Sequence, residues 1–241
     1  SANLTTDFNY TPTSGETQLF VKKAFVQAKL DQAATFRVGS ADMPWIPFVE
    51  GIYGNRFVEN TLIDRLHLGN SADWGVHFMG SNGWTSYAVS TVNGGGYKNP
   101  ARTKSMDWEG RVAFFPVEGL TVAIGGYTGD LGQNTVTTPA LNTATRADAL
   151  IAYKISKLTL GAEYVNARNF APAAVATTAT DSASGYSVFG SVKVADNGTT
   201  LFARYDHADP SKDLDPSKTD KYYNAGVSFP VSRNITLAVA Y

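Results

Sequence analysis

Residues Ser105–Phe115 read SMDWEGRVAFF. In an extended strand successive side chains point to opposite faces. That places Met106, Trp108, Gly110, Val112 and Phe114 on one side, and Asp107, Glu109 and Arg111 on the other. Three charges backed by an aromatic and aliphatic row require one wet and one apolar environment. A helix would mix the two sets around its circumference, because its period is about 3.6 residues.

The same division recurs along the chain. Over 145–155, Ala147, Ala149, Ile151, Tyr153 and Ile155 oppose Arg146, Asp148 and Lys154. Over 199–207, Leu201, Ala203 and Tyr205 oppose Arg204 and Asp206, and over 18–30, Ala24, Val26, Ala28 and Leu30 oppose Lys23, Gln27 and Lys29. Period-two alternation bounded by Gly, Asn, Asp, Ser and Pro predicts strands near 2–10, 18–30, 33–41, 73–80, 84–93, 105–115, 119–128, 145–155, 157–166, 184–194, 199–207, 220–229 and 234–241. Several approach ten residues, the length at which a tilted strand crosses a bilayer, about 9–11. Short connections (31–32, 81–83, 116–119, 156, 195–198, 230–234) alternate with long ones (11–17, 42–72, 94–104, 129–144, 167–183, 208–219). Outer-membrane barrels follow that rule, with tight turns at one end and long loops at the other. A soluble sandwich has no reason to follow it.

Two features decide which face is outside. The apolar faces carry many Ala and Gly residues, too small to fill a sandwich core about 10 Å thick. Aromatic residues gather near strand ends, at Phe8, Tyr10, Trp84, Trp108, Tyr164, Tyr186, Tyr223, Phe229 and Tyr241, as in the interfacial girdles of membrane barrels. The fold expected is therefore all-β: a transmembrane antiparallel up-and-down β-barrel, apolar outward and polar inward, forming one domain over 1–241. An odd strand count leaves the two ends on opposite sides of the membrane, so either a further strand lies within 59–68 or, as is expected, one to three native strands are missing from the thirteen.

Composition narrows the function. With Lys and Arg numbering 20 against 21 Asp and Glu, the formal charge is −1, which offers no basic face for nucleic acid. Cysteine is absent, excluding thiol chemistry, and the three histidines, His67, His77 and His207, show no metal-ligand spacing. No metal or cofactor is expected. Nor is an enzyme, since no GxSxG elbow is present. No run of 18 apolar residues predicts a membrane helix.

The inward faces would carry Lys23, Lys29, Arg37, Arg111, Arg146, Lys154, Lys193 and Arg204 against Asp7, Asp107, Glu109, Asp148, Glu163 and Asp206. Isolated charges in a dry lumen cost several kcal/mol each. These residues are accordingly expected to line a water-filled bore, with weak anion preference at most and about half of them paired across strands. Segment 42–72 (DMPWIPFVEGIYGNRFVENTLIDRLHLGNSA) is too long for an idle connection and too apolar to stand in water. It should pack on the inner wall or on a neighbouring subunit. If it folds inward, Glu50, Arg56, Glu59, Asp64, Arg65 and His67 come nearest the solute, and 59–68 forms one or two helical turns.

RVGSADMPW (Arg37–Trp45), DWGVHFMG (Asp73–Gly80) and SYAVSTVNG (Ser86–Gly94) resemble the phosphate-selective porin O and P type of outer-membrane porin, with weaker likeness through FARYDHADPSKDL (Phe202–Leu214). The resemblance implies a 16-stranded homotrimeric barrel in the outer membrane of Gram-negative bacteria, inward-folded loops and passive transport. Its phosphate-selective members carry an arginine ladder and a lysine cluster at the constriction. Here the matching loop sets Arg56 and Arg65 beside Glu50, Glu59 and Asp64, which favours a channel for small hydrophilic solutes or ions over phosphate selectivity. Alternatives are a soluble carbohydrate-binding β-sandwich, whose exposed Trp and Tyr would stack on sugars, and an outer-membrane barrel enzyme or receptor.

Overall fold

The computed structural model describes residues 1–100, 102–170, 175 and 177–241. Its strands are β1 (Ala2–Thr11), β2 (Glu16–Lys29), β3 (Thr35–Asp42), β4 (Ala72–Ser81), β5 (Thr85–Val92), β6 (Asp107–Phe114), β7 (Leu120–Gly129), β8 (Ala144–Lys154), β9 (Leu158–Arg168), β10 (Ser182–Lys193), β11 (Thr200–Asp209), β12 (Asp220–Ser232) and β13 (Ile235–Ala240). Two helices, α1 (Ile46–Tyr53) and α2 (Leu62–Arg65), interrupt the segment between β3 and β4. Each strand pairs antiparallel with its sequence neighbour, so the sheet order runs from β1 to β13 without a crossover. This is the predicted meander. One connection departs from expectation: 11–17 is not a long loop. Strands β1 and β2 continue until only 12–15 separate them, and the Gly15 N–H closes the turn on the Thr11 carbonyl at 2.9 Å, with Gly15 at φ 68°.

The register carries the two faces across the whole sheet. Val112, Ile124, Ala149, Tyr164 and Tyr186 follow one another on successive strands from β6 to β10. All face outward: Val112 is 38% exposed, Ile124 61% and Trp108, on the same face, 52%. Asp107 and Glu109, on the opposite side of β6, are 1% and 2% exposed. Apolar side chains outside and ionic ones inside is the reverse of a sandwich, and it overturns the carbohydrate-binding sandwich as an alternative. The fold is that of an outer-membrane β-barrel.

Aromatic residues edge this apolar band. Tyr164 pairs with Tyr186, and Tyr205 with Tyr223, toward the long-loop end. The rings of Tyr186 and Tyr205 lie 6.2 Å apart, and those of Tyr223 and Tyr241 6.3 Å. At the short-turn end Trp84 and Phe114 meet at 6.2 Å. An aromatic ring with a polar tip suits the level of the lipid headgroups.

Strand β2 contains an irregularity that sequence alternation conceals. Thr5 pairs with Lys23 but Thr6 pairs with Val21, so Lys22 is an extra, bulged residue. A bulge of one residue reverses the facing of what precedes it. Leu19 and Val21 thus point outward together with Ala24 and Val26, although their numbers differ in parity. Among the described residues, the outer edges of β1 and β13 have no strand partner. Unpaired backbone groups in hydrocarbon cost several kcal/mol each, so in a membrane these two edges must be covered.

Candidate functional site

The segment between β3 and β4 lies on the inner wall. Pro47 sits in the first turn of α1, where a missing N–H costs nothing, and Gly54 at φ 78° ends the helix with its N–H on the Glu50 carbonyl at 2.9 Å. Trp45, Ile46, Val49, Tyr53, Leu62 and Ile63 are buried against Ala113, Ala123, Leu150, Val165 and Phe189 of the barrel wall. Of these, Trp45 is the pivot. Its backbone N–H donates to Glu109 Oε1 and its indole N–H to Glu163 Oε1, both at 2.8 Å. Gly125 makes room for the indole: a Cβ there would come within 2.5 Å of Trp45 Cε3.

Further polar ties run from wall to loop. Arg146 donates to the Leu68 carbonyl at 2.6 Å while pairing with Glu109 at 2.9 Å and Asp148 at 2.8 Å. Arg204 donates to the Asn60 carbonyl at 2.5 Å and pairs with Asp206 at 2.6 Å. Asp107 instead pins the loop after β7, accepting the Asp130 and Leu131 N–H groups at 2.8 and 2.9 Å and the Tyr127 hydroxyl.

These contacts correct the expectation that Asp107, Glu109, Arg146, Asp148, Arg204 and Asp206 line a watery bore. All six point inward, yet all are buried, none more than 4% exposed. The apolar side of the inserted segment needs a wall, and covering that wall seals its charges. Glu109, Arg146 and Asp148 pair with one another, and Arg204 with Asp206, while Asp107 is met by neutral donors; a lone buried charge would be far costlier than a paired one. Glu163 is sealed in the same way. Arg111 is half-covered: it donates to the Pro44 carbonyl at 2.9 Å and stacks its guanidinium 3.9 Å from the Phe48 ring centroid. Arg65, expected near the solute, also turns to the wall, bonding Asp206 at 3.1 Å and Asp220 at 2.5 Å.

Other predicted residues do reach solvent. Lys23 pairs with Asp42 at 2.6 Å, and Arg37 bonds Gln27 at 2.8 Å with Asp42 at 3.7 Å. Lys29, Lys154 and Lys193 are exposed at strand ends, Lys154 donating to the Gly51 carbonyl at 2.9 Å. On the inserted segment, Arg56 pairs with Glu50 at 2.6 Å and approaches Asp64 at 3.9 Å; Glu59 is partly exposed and His67 is exposed. Burial acts to lower the Arg56 pKa, but Glu50 and Asp64 more than offset it and hold the guanidinium above its ordinary value. Burial raises the Asp64 carboxyl above the usual carboxylate range, with Arg56 opposing.

Sequence reasoning did not assemble a cavity of about 410 Å³ between β1, β2, the inserted segment and the loop after β5. Asp7, Lys22, Arg56, Asp64, Tyr97 and Lys98 are on its walls. Residues 94–96, a Gly-Gly-Gly run, bring Tyr97 and Lys98 there, because Asp73 accepts the Gly94 and Gly96 N–H groups at 3.0 and 3.1 Å. Gly96 sits at φ 73°, in the left-handed region that favours glycine, and a Cβ there would also press on the Asn70 amide at 2.7 Å. Also unforeseen was the contact of His77 Nδ1 with Ser90 Oγ at 2.8 Å; both residues are buried, so neither atom reaches a solute. Among the described residues no cluster of three His, Asp or Glu side chains is disposed to hold a metal ion.

No protein-family model matches the chain, and no curated protein matches it. Solved structures do. A porin refined at 1.8 Å resolution superposes with a TM-score of 0.63 at 14% identity, covering 98% of this chain and 84% of the porin. OmpF of Salmonella typhi in complex with daunomycin gives 0.68 at 15%, covering 92% and 70%. The trimer form of in-vitro folded OmpT, an outer membrane protein of Vibrio cholerae, gives 0.55 at 16%, covering 92% and 70%. The chain has the porin fold.

Proposed function

We propose that this protein is a porin of the bacterial outer membrane: a passive diffusion channel for small hydrophilic solutes or ions, working as a homotrimer and catalysing no reaction. The observation that carries the reading is the division of the inner surface. One side is sealed by the inserted segment, whereas β1–β3 opposite keep Lys22, Lys23, Arg37, Asp7 and Asp42 at least partly open to water. A lumen floored by an inward loop and lined by hydrated charges on the facing wall conducts ions. The trimer follows the trimeric OmpT whose fold it shares.

Accessible cations (Lys22, Lys23, Arg37, Arg56, Lys98) stand against accessible acids (Asp7, Asp42, Glu50, Glu59, Asp64) in equal number. That balance supports weak anion preference at most. It also supports a general channel over the phosphate selectivity of the O and P type, whose motifs the chain resembles. Insertion of the detergent-folded protein into planar bilayers should give stepwise ohmic currents in KCl. Correctly folded protein that inserts without conducting would refute the channel.

A further inference from the structure

We propose that the cavity between β1, β2, α2 and the loop after β5 is a subsite for dipolar solutes, small molecules with a carboxylate at one end and an ammonium at the other. This rests on the channel reading above and names the solute class that the channel handles.

The cavity presents charge of both signs that its own partners engage weakly or not at all. The Lys22 and Lys98 ammonium groups flank the Tyr97 ring, 5.4 and 5.6 Å from its centroid, and neither makes a salt bridge among the described residues. Tyr97 is itself fixed, its hydroxyl donating to Asp7 Oδ2 at 2.6 Å and its N–H to the Ala72 carbonyl at 3.1 Å. The two lysines therefore hold their places through the ring while keeping all their ammonium protons free for a ligand. Asp64 supplies the opposite pole. Among the described residues its carboxylate accepts no side-chain hydrogen bond, and its single ion partner, Arg56, stands at 3.9 Å while bonding Glu50 at 2.6 Å. Asp7, by contrast, is occupied by Tyr97 and by the Phe8 N–H at 3.0 Å.

An anion entering this cavity meets the lysines but also Asp64, and a cation meets the reverse. A dipolar solute satisfies both poles and leaves neither desolvated charge unpaired. At about 410 Å³ the cavity admits a molecule of amino-acid size with water to spare. The lysines come from the β2 bulge and the glycine-held loop, and Asp64 from α2. The site thus uses the three features that depart from a regular barrel.

The test measures block of single-channel KCl current by glycine, β-alanine and 4-aminobutyrate. The controls are the chain-matched ω-hydroxy carboxylates and diols. Saturable block by the amino acids, at concentrations where both controls pass unnoticed, is the expected result. Lys98→Gln and Asp64→Asn should each weaken it about tenfold, the effect of one charge-assisted hydrogen bond. Block is scored in each variant as a fraction of that variant's own current in KCl alone. Equal block by hydroxy carboxylate, with Asp64→Asn without effect, would make the cavity a plain anion site and overturn the proposal. Equal block by all solutes would overturn it as well. A protein that conducts no KCl at all would bring down the channel reading first, and this one with it.

Discussion

Removing the indole donor at Trp45 probes the join between inserted segment and wall. The side chain is fully buried, and its N–H meets Glu163 Oε1 at 2.8 Å. Trp45→Phe keeps an aromatic ring but strands that carboxylate oxygen and leaves a small void. The two effects together should cost about 2–4 kcal/mol. Glu163→Leu alone strands the indole N–H instead. In the double variant no buried polar group is left without its partner. It should therefore cost less than the two single changes added, by about 1–3 kcal/mol. Equilibrium urea unfolding of the detergent-folded protein measures the cycle. Arg146, Arg204 and Lys154 still hold the Leu68, Asn60 and Gly51 carbonyls, so the segment should loosen without leaving. Trp45→Phe is accordingly expected to add open-channel noise at nearly unchanged mean conductance. Strict additivity of the three free energies would show that the indole bond does not fasten the segment.

Three other outcomes follow from the same geometry. Arg146→Met should destabilise by about 3–5 kcal/mol, because Glu109 and Asp148 are left buried with their shared cation gone; the urea midpoint reads this directly. Asp64 behaves oppositely. Its pKa is raised by burial, so its protonated form favours the folded state, and that contribution is lost as pH rises through the raised value. Asp64→Asn should then match the parent in acid and equal or exceed it in thermal stability at neutral pH, as melting curves across pH would record. Arg37 stays on the open side of the lumen, so Arg37→Ala should shift the reversal potential in a KCl gradient toward cation preference, whereas Arg111→Ala, beneath Phe48, should leave it unmoved.

Strand positions and facing were legible in the sequence because both rest on local chemistry. Period-two alternation sets the face, and Gly, Asn and Asp mark the turns. The stretch around Trp108 reads correctly for that reason. Helix α1 was hidden by Pro44 and Pro47, which look like breakers until Pro47 is seen to occupy the first turn. The Lys22 bulge left a trace that went unread: the apolar positions run Leu19, Val21, Ala24, Val26, with one residue too many. Burial of the inner charges was legible only as far as segment 42–72 being expected on the inner wall or a neighbouring subunit. Alternation says that Glu109 and Arg146 point inward, but not that a segment 64 residues away along the chain, through Trp45, covers them. The cavity was illegible for the same reason, since Asp7, Lys22, Asp64 and Lys98 meet only through tertiary structure.

Inversion of the two faces underlies every other statement, and a chain without cysteine permits a direct measurement of it. Spin labels at Val112→Cys and Ile124→Cys, and at Gln27→Cys and Arg37→Cys, can be compared in bilayers for relaxation by oxygen, which concentrates in lipid, and by a water-soluble nickel chelate. The first pair should respond to oxygen and the second to nickel. Nickel response at Val112 and Ile124, with oxygen response at Gln27 and Arg37, would contradict the account.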